Sequence, residues 1–160
     1  MTVLVDTNVL LRQFEPWHAL HHAAIESTAR LVLSSDPVFV TAQNIAEFWA
    51  AATRPAAQNG LGLTVPVAVS AVDHMERVFT LLPDHPAIYA VWKRLVMTHE
   101  VIGSQVFDAR LVAAMTVHGV GRILTFTRPI SAVIRSRYWT RRQCRGRPAL
   151  LPLKTRRRLM

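Results

Sequence analysis

The chain has little cysteine, no late acid and no long apolar run, and each shortage narrows what it can be. Of its 160 residues only Cys144 is a cysteine, which excludes an internal disulfide and fits a reducing, intracellular compartment. The uncharged stretch from Gln58 to Val72 is interrupted by Gly60, Gly62, Pro66 and Ser70 and is too short and broken to span a bilayer. The N-terminus has no basic segment and places Asp6 too early for a secretory signal. A cytoplasmic protein without a membrane partner is expected. Acids stop at Asp108: ten precede residue 109 and none follows. Before Arg128 there are eight basic residues, and from Arg128 onward there are eleven. A near-neutral domain thus carries a strongly cationic end, an asymmetry that points to a polyanionic partner, usually nucleic acid.

What is present suits one folded domain. A hydrophobic fraction of 51% over this length supports a single core. Thr2–Leu11 reads TVLVDTNVLL, a β-branched run ending in Asp6. That pattern predicts a buried strand delivering a carboxylate at its C-terminal end, where open parallel sheets bind ligands. Asp6 could equally cap the next helix, since Asp is a good N-cap. Thr7 and Asn8 are expected in a turn. Helices are expected over 9–14 and 17–33, then a strand at Val38–Val40. Thr41 is expected to cap a helix from Ala42 to Thr53, ended by Pro55. A long helix is expected from Val65 to Leu82, with Val65, Val69, Val72, Met75, Phe79 and Leu82 inward. Further helices follow over 86–99 and, capped by Ser104, over 105–118 up to Gly119 and Gly121. A strand closes the series at 123–126. This β–helices–β–helices–β order predicts a parallel sheet covered on both faces.

Two more acids sit where surface carboxylates do not belong. Asp108 shares a helix face with Leu111, Val112 and Met115. Glu47 flanks the stripe Ile45, Phe48, Trp49, Ala52, beside Asn44 and Ala51. An acid on an apolar face is costly unless it is paired or binds a metal. Converging carboxylates about 4 Å apart repel by about 1 kcal/mol in bulk water and about 4 at an effective dielectric of 20. A proton or a cation must relieve them, and hard oxygen ligands favour Mg²⁺ or Mn²⁺ over zinc. His18, His21 and His22 lie close together but with no cysteine and no HExxH spacing, and read as surface. Glu26, Asp73, Glu76 and Glu100 read as solvated.

Taken together, VLVDTNVLL, IAEFWAAATRP and DARLVAAMTVHGVGRILTF resemble the PIN-domain family over residues 2–127, and more narrowly the VapC-like ribonuclease toxins of type II toxin–antitoxin pairs. The resemblance implies a three-layer α/β/α sandwich with a short parallel sheet. It implies that Asp6, Glu47 and Asp108 are catalytic carboxylates holding Mg²⁺ or Mn²⁺, with Asn8 and Thr125 as supporting polar groups. The implied reaction is metal-assisted hydrolysis of single-stranded RNA. The implied partners are that RNA, a cognate antitoxin and a second copy of the chain.

The pattern breaks after ILTF. The family has an Asn there and an Asp a few residues on, whereas this chain reads TRPISAVIRS, with Thr127 in place of the Asn and no acid beyond. The final strand of the family has only a poor candidate at Ala132–Ile134. The chain therefore divides into a PIN-like domain, residues 1–127, and a basic end, residues 128–160. RSRYWTRRQCRGR interleaves Tyr138 and Trp139 with arginines, as RNA-binding segments do; a shifted reading frame near codon 127 accounts for the same loss of pattern. Without a fourth acid, reduced nuclease activity is expected, and a catalytically impaired module that still docks RNA or antitoxin is the alternative. A phosphotransferase with an aspartyl nucleophile would need an Asp two residues after Asp6, where Asn8 stands.

Overall fold

A computed structural model describes residues 2–34 and 36–127, and the backbone of residues 149–152. β1 (Val3–Val5) is the central strand, flanked on one side by β2 (Val38–Thr41) and then β3 (Thr80–Leu82), and on the other by β4 (Arg122–Thr125). These four strands are parallel, with Val3 opposite Val38 and Arg122, and Phe39 opposite Thr80. β5 (Ala149–Pro152) runs antiparallel along the outer edge of β4.

Strand alternation separates the core into two faces. Val3 and Val5 point to one side, where they meet α1 (Thr7–Arg12), α2 (His21–Leu33), α3 (Ala42–Thr53) and α4 (Val65–Val78) through Val9, Leu10, Ala24, Leu31, Phe48, Ala71 and Met75. Leu4 and Ile123 point to the other side, against Leu111, Val112 and Met115 of α6 (Gln105–His118). The reverse side of α6 carries Ala113 and Ala114 against Ile88 of α5 (Pro86–Thr98). The small side chains let α6 sit between sheet and helix, so it is apolar nearly all round. The result is the expected α/β/α sandwich.

Several local expectations differ. Thr7 and Asn8 open α1 instead of forming a turn, and α1 ends at Arg12, before Pro16. α2 begins at His21, not Trp17. The long helix stops at Val78; Phe79 leaves the helical region and residues 80–82 form β3. Phe79 and Leu82 are buried as expected, but Val65 and Val69 are exposed, and the inward face of α4 is Ala68, Ala71 and Met75. Three residues are too few for strand periodicity to compete with the helical pattern before them. β3 adds a fourth parallel strand, and β5 lines the edge of β4. Ser104 precedes α6 without a side-chain capping bond, whereas Gly119 ends it in the left-handed region at φ 67°, as a C-terminal glycine should. His18 and His21 are half-buried, and only His22 is exposed; the Nδ1 of His21 lies 2.9 Å from the Arg12 carbonyl. Ala132–Ile134, Tyr138 and Trp139 lie outside the described residues.

Gly60 is required by close approach: a Cβ there would lie 2.0 Å from the Arg54 carbonyl oxygen, where the chain turns back onto α3. Phe48 is fully buried and stacks at a tilt on Phe14, with centroids 5.2 Å apart. Phe48→Ala should cost about 3–5 kcal/mol of unfolding free energy in urea titration, a large part of the stability of a domain this size.

Candidate metal centre at the sheet edge

The three acids reach the C-terminal edge of the sheet from three different elements. Asp6 is the single residue between β1 and α1. It occupies the N-cap position, but its side chain makes no capping hydrogen bond. Its Oδ2 instead accepts from Asn8 Nδ2 at 2.6 Å and from Thr125 Oγ1 at 2.6 Å, and Asn8 Nδ2 also reaches Thr125 Oγ1 at 2.9 Å. Asn8 Oδ1 accepts from the Phe126 N–H, tying α1 to the end of β4. The site therefore lies where β1 parts from β4 towards its other neighbour β2, the crevice of a doubly wound sheet.

Glu47 is held by a second set of neutral donors. Thr7 Oγ1 donates to its Oε2 at 2.7 Å, and Gln43 Nε2 donates to its Oε1 at 2.7 Å. Behind them stands Asn44, fully buried. Its Oδ1 accepts from the N–H and hydroxyl of Thr41, its N–H donates to Thr41 Oγ1, and its Nδ2 donates to Thr7 Oγ1 at 3.1 Å. Thr41 and Asn44 form the capping box of α3, so the expected cap at Thr41 is present. The same bonds that start the helix also orient the donor to Glu47.

Asp108 is half-buried in the first turn of α6 and makes no hydrogen bond or ion pair among the described residues. Burial, then the charges of Asp6 and Glu47, push its carboxyl up to about 6. Burial also raises Asp6, with the Glu47 charge adding and the Thr125 hydroxyl and the Thr7 and Asn8 N–H groups opposing. The three acids are thus near enough to repel one another, with no cation among the described residues to relieve them.

Among the described residues, no three His, Cys, Asp or Glu side chains are gathered tightly enough to hold an ion as they stand. The donor chemistry nevertheless fits Mg²⁺ or Mn²⁺. Mg²⁺ keeps several waters and binds through one or two carboxylates more often than in an all-protein cage. Asp6 Oδ1 and both oxygens of Asp108 accept no side-chain hydrogen bond among the described residues. Both oxygens of Glu47 already accept hydrogen bonds.

Thr7, Gln43, Asn44 and Arg110 are part of this network although the sequence did not single them out as site residues. Thr41-x-x-Asn44 was legible as a capping pattern, and Gln43 lies four residues before Glu47 on one helix face. Arg110 had no signal: it reaches Gln43 Oε1 at 3.0 Å with Nη1 and Asp84 Oδ1 at 2.9 Å with Nη2 only because the fold brings the N-terminal parts of α3 and α6 together at the sheet edge. Thr127, which replaces the expected Asn, still joins the network, 3.2 Å from Asn8 Nδ2 and 3.1 Å from Thr125 Oγ1.

Comparison with known proteins follows this geometry. The structure is similar to that of VapBC2 from Rickettsia felis bound to a promoter DNA fragment, with TM-score 0.58 and 10% identity, covering 75% of this chain and 84% of that one. It is similar to VapC20 of Mycobacterium tuberculosis, a sarcin–ricin loop cleaving toxin, with TM-score 0.57, 24% identity and coverage of 81% and 93%. It is also similar to VapBC-1 from nontypeable Haemophilus influenzae, with TM-score 0.54, 15% identity and coverage of 74% and 82%. At such identities these are likenesses of fold. A search of curated protein sequences gives no significant match. The family model described as PIN domain matches residues 3–133, which takes in β1 with Asp6, α3 with Glu47, α6 with Asp108 and β4 with Thr125. By that match, over most of its length, the chain belongs to the PIN-domain family.

Proposed function

We propose that the protein is a metal-dependent endoribonuclease of the toxin kind, cleaving single-stranded RNA and held in check by a cognate antitoxin. The observation that carries this reading is the set of neutral donors that seats Asp6 and Glu47 at one sheet edge, with Asp108 close enough to feel both charges. The fold neighbours support it, being toxins or VapBC assemblies. A divalent cation bound there would supply a more acidic water and positive charge for the phosphodiester.

The chain's own residues would do the rest. Asn8 and Thr125 fix Asp6 Oδ2, leaving Oδ1 without a side-chain donor among the described residues. Thr7 and Gln43 hold Glu47 at a set distance, where its charge adds to the demand for a cation. Among the described residues Asp108 has no hydrogen-bond donor to give up before it turns to an ion or a water.

A second reading has a specific observation behind it. No acid follows Asp108 in the sequence, so the fourth carboxylate of the family pattern is missing, and Thr127 offers a hydroxyl where that pattern has an Asn. On that reading the chain is a catalytically impaired PIN fold that still binds RNA or antitoxin. Cleavage of single-stranded RNA by the pure chain in Mg²⁺ or Mn²⁺ separates the two: a folded protein that cleaves nothing in either metal supports the second. If it cleaves, Asp6→Asn and Asp108→Asn should each lower the rate by more than about 100-fold, and Asn8→Ala by about 10- to 100-fold.

The pH dependence of stability has a definite sign. Asp108 binds its proton more tightly in the folded chain, about 6 against 3.8, so the native state holds more protons than the unfolded state over that window. Stability should therefore be greatest below pH 3.8 as far as this group is concerned, fall as pH rises towards 6, and level off above. In thermal melts from pH 4 to pH 8, Asp108→Asn should remove that component of the fall in Tm. At pH 7 millimolar Mg²⁺ should raise the Tm of the parent chain and have less effect on Asp108→Asn.

A further inference from the structure

Beside the carboxylate edge lies a cavity of about 570 Å³ lined by Asp84, His85, Pro86, Tyr89, Trp92 and Arg110. Its volume is that of a small-molecule site. Tyr89 is 63% exposed and has Trp92 beside it, with ring centroids 5.9 Å apart at 36°. Trp92 is itself fixed, its indole N–H donating to the Val106 carbonyl at 2.9 Å. An exposed tyrosine ring braced by an immobile tryptophan is a stiff aromatic platform. On its other side Tyr89 borders a second cavity, of about 420 Å³, with Lys93, Arg94 and Met97. α5 carries no acid. Lys93 and Arg94 have no ion-pair partner among the described residues.

The cavity is joined to the carboxylates by a short chain of bonds. Arg110 Nη1 donates to Gln43 Oε1 at 3.0 Å, and Gln43 Nε2 donates to Glu47 Oε1 at 2.7 Å. The other arm of Arg110 is taken by Asp84 at 2.9 Å, so this arginine is a wall and a strut, not a free phosphate clamp. Aromatic platform, neighbouring unpaired cations and continuity with a phosphodiester site are the features that single-stranded nucleic acids use: bases stack on rings while cations follow the backbone.

We propose that this cleft receives an unpaired base of the RNA strand flanking the scissile phosphate, stacked on Tyr89, with Lys93 and Arg94 contacting the next phosphates. The proposal rests on the nuclease reading for its substrate, but binding tests it without cleavage. A fluorescein-labelled single-stranded RNA of mixed sequence, about 12 nucleotides long, is titrated with the full chain in EDTA and followed by anisotropy. Tyr89→Ala should weaken binding by about 5- to 100-fold, with the far-ultraviolet spectrum unchanged, whereas Tyr89→Phe keeps the ring and should bind within about twofold. Lys93→Ala and Arg94→Ala should each reduce the slope of log affinity against log salt by about 0.7. If the parent chain cleaves RNA, Tyr89→Ala should raise KM with little change in kcat. Unchanged RNA affinity in Tyr89→Ala, or a parent chain that binds no RNA, overturns the proposal; unchanged affinity would leave the cleft to a protein segment. The nuclease reading fails separately: a parent chain that binds RNA through Tyr89 and cleaves none in Mg²⁺ or Mn²⁺ refutes that reading and leaves the base-binding cleft standing.

Discussion

Like charge brought together at low exposure is the constraint on which the rest of this molecule turns. Asp6 is only 8% exposed, Glu47 adds its field to it, and both add theirs to Asp108. Such a cluster persists only if something else holds each group in place, because the carboxylates themselves push apart. For two of them that role falls to neutral donors: a hydroxyl and an amide on Asp6, a hydroxyl and an amide on Glu47. Neutral donors stabilise a carboxylate without cancelling its charge, so the cluster stays available to a cation. An arginine in the same place would have made a stable ion pair and closed the site. Arg110 comes near but is held by Gln43 and Asp84.

The unequal treatment of the three acids follows from the fold. Asp6 and Glu47 grow from the sheet edge and the first turns of α3, where Thr7, Thr125, Gln43 and Asn44 are packed around them. Asp108 comes from the opposite layer, across the sheet, and no donor among the described residues accompanies it. Burial, then the charges of Asp6 and Glu47, therefore act on it unopposed and push its carboxyl up to about 6. The same layer supplies α5 and the aromatic cleft, which places the least constrained acid between the rigid pair and the surface proposed to carry the substrate strand.

Much of this was legible in the sequence because it depends on local pattern. The TVLVD run gives β1, the Thr41 cap gives the start of α3 to the residue, and Gly119 gives the end of α6. The acids stood out because their positions conflict with the apolar pattern around them. What was not legible depends on contacts between distant segments. β3 has three residues and acquires its strand character only from lying beside β2. Arg110 shares no periodic relation with Gln43, 67 positions away. The ambiguity of Asp6 between helix cap and ligand was real, since it occupies the capping position while its carboxylate faces Asn8 and Thr125. Only the register of β1 against β4, which sets Val5 beside Leu124 and so Thr125 beside Asp6, decides which way the side chain turns.

The joints that carry this edge contain no spare residue. Asp6 alone separates β1 from α1, and Thr41 ends β2 while capping α3 directly. A hinge needs residues whose backbone angles can change without breaking bonds, and neither joint has one. A single inserted or deleted residue at either joint would rotate the helix that follows by about 100° and carry its polar side chains out of register. The chemistry of the edge is thus tied to chain length as strictly as to residue type.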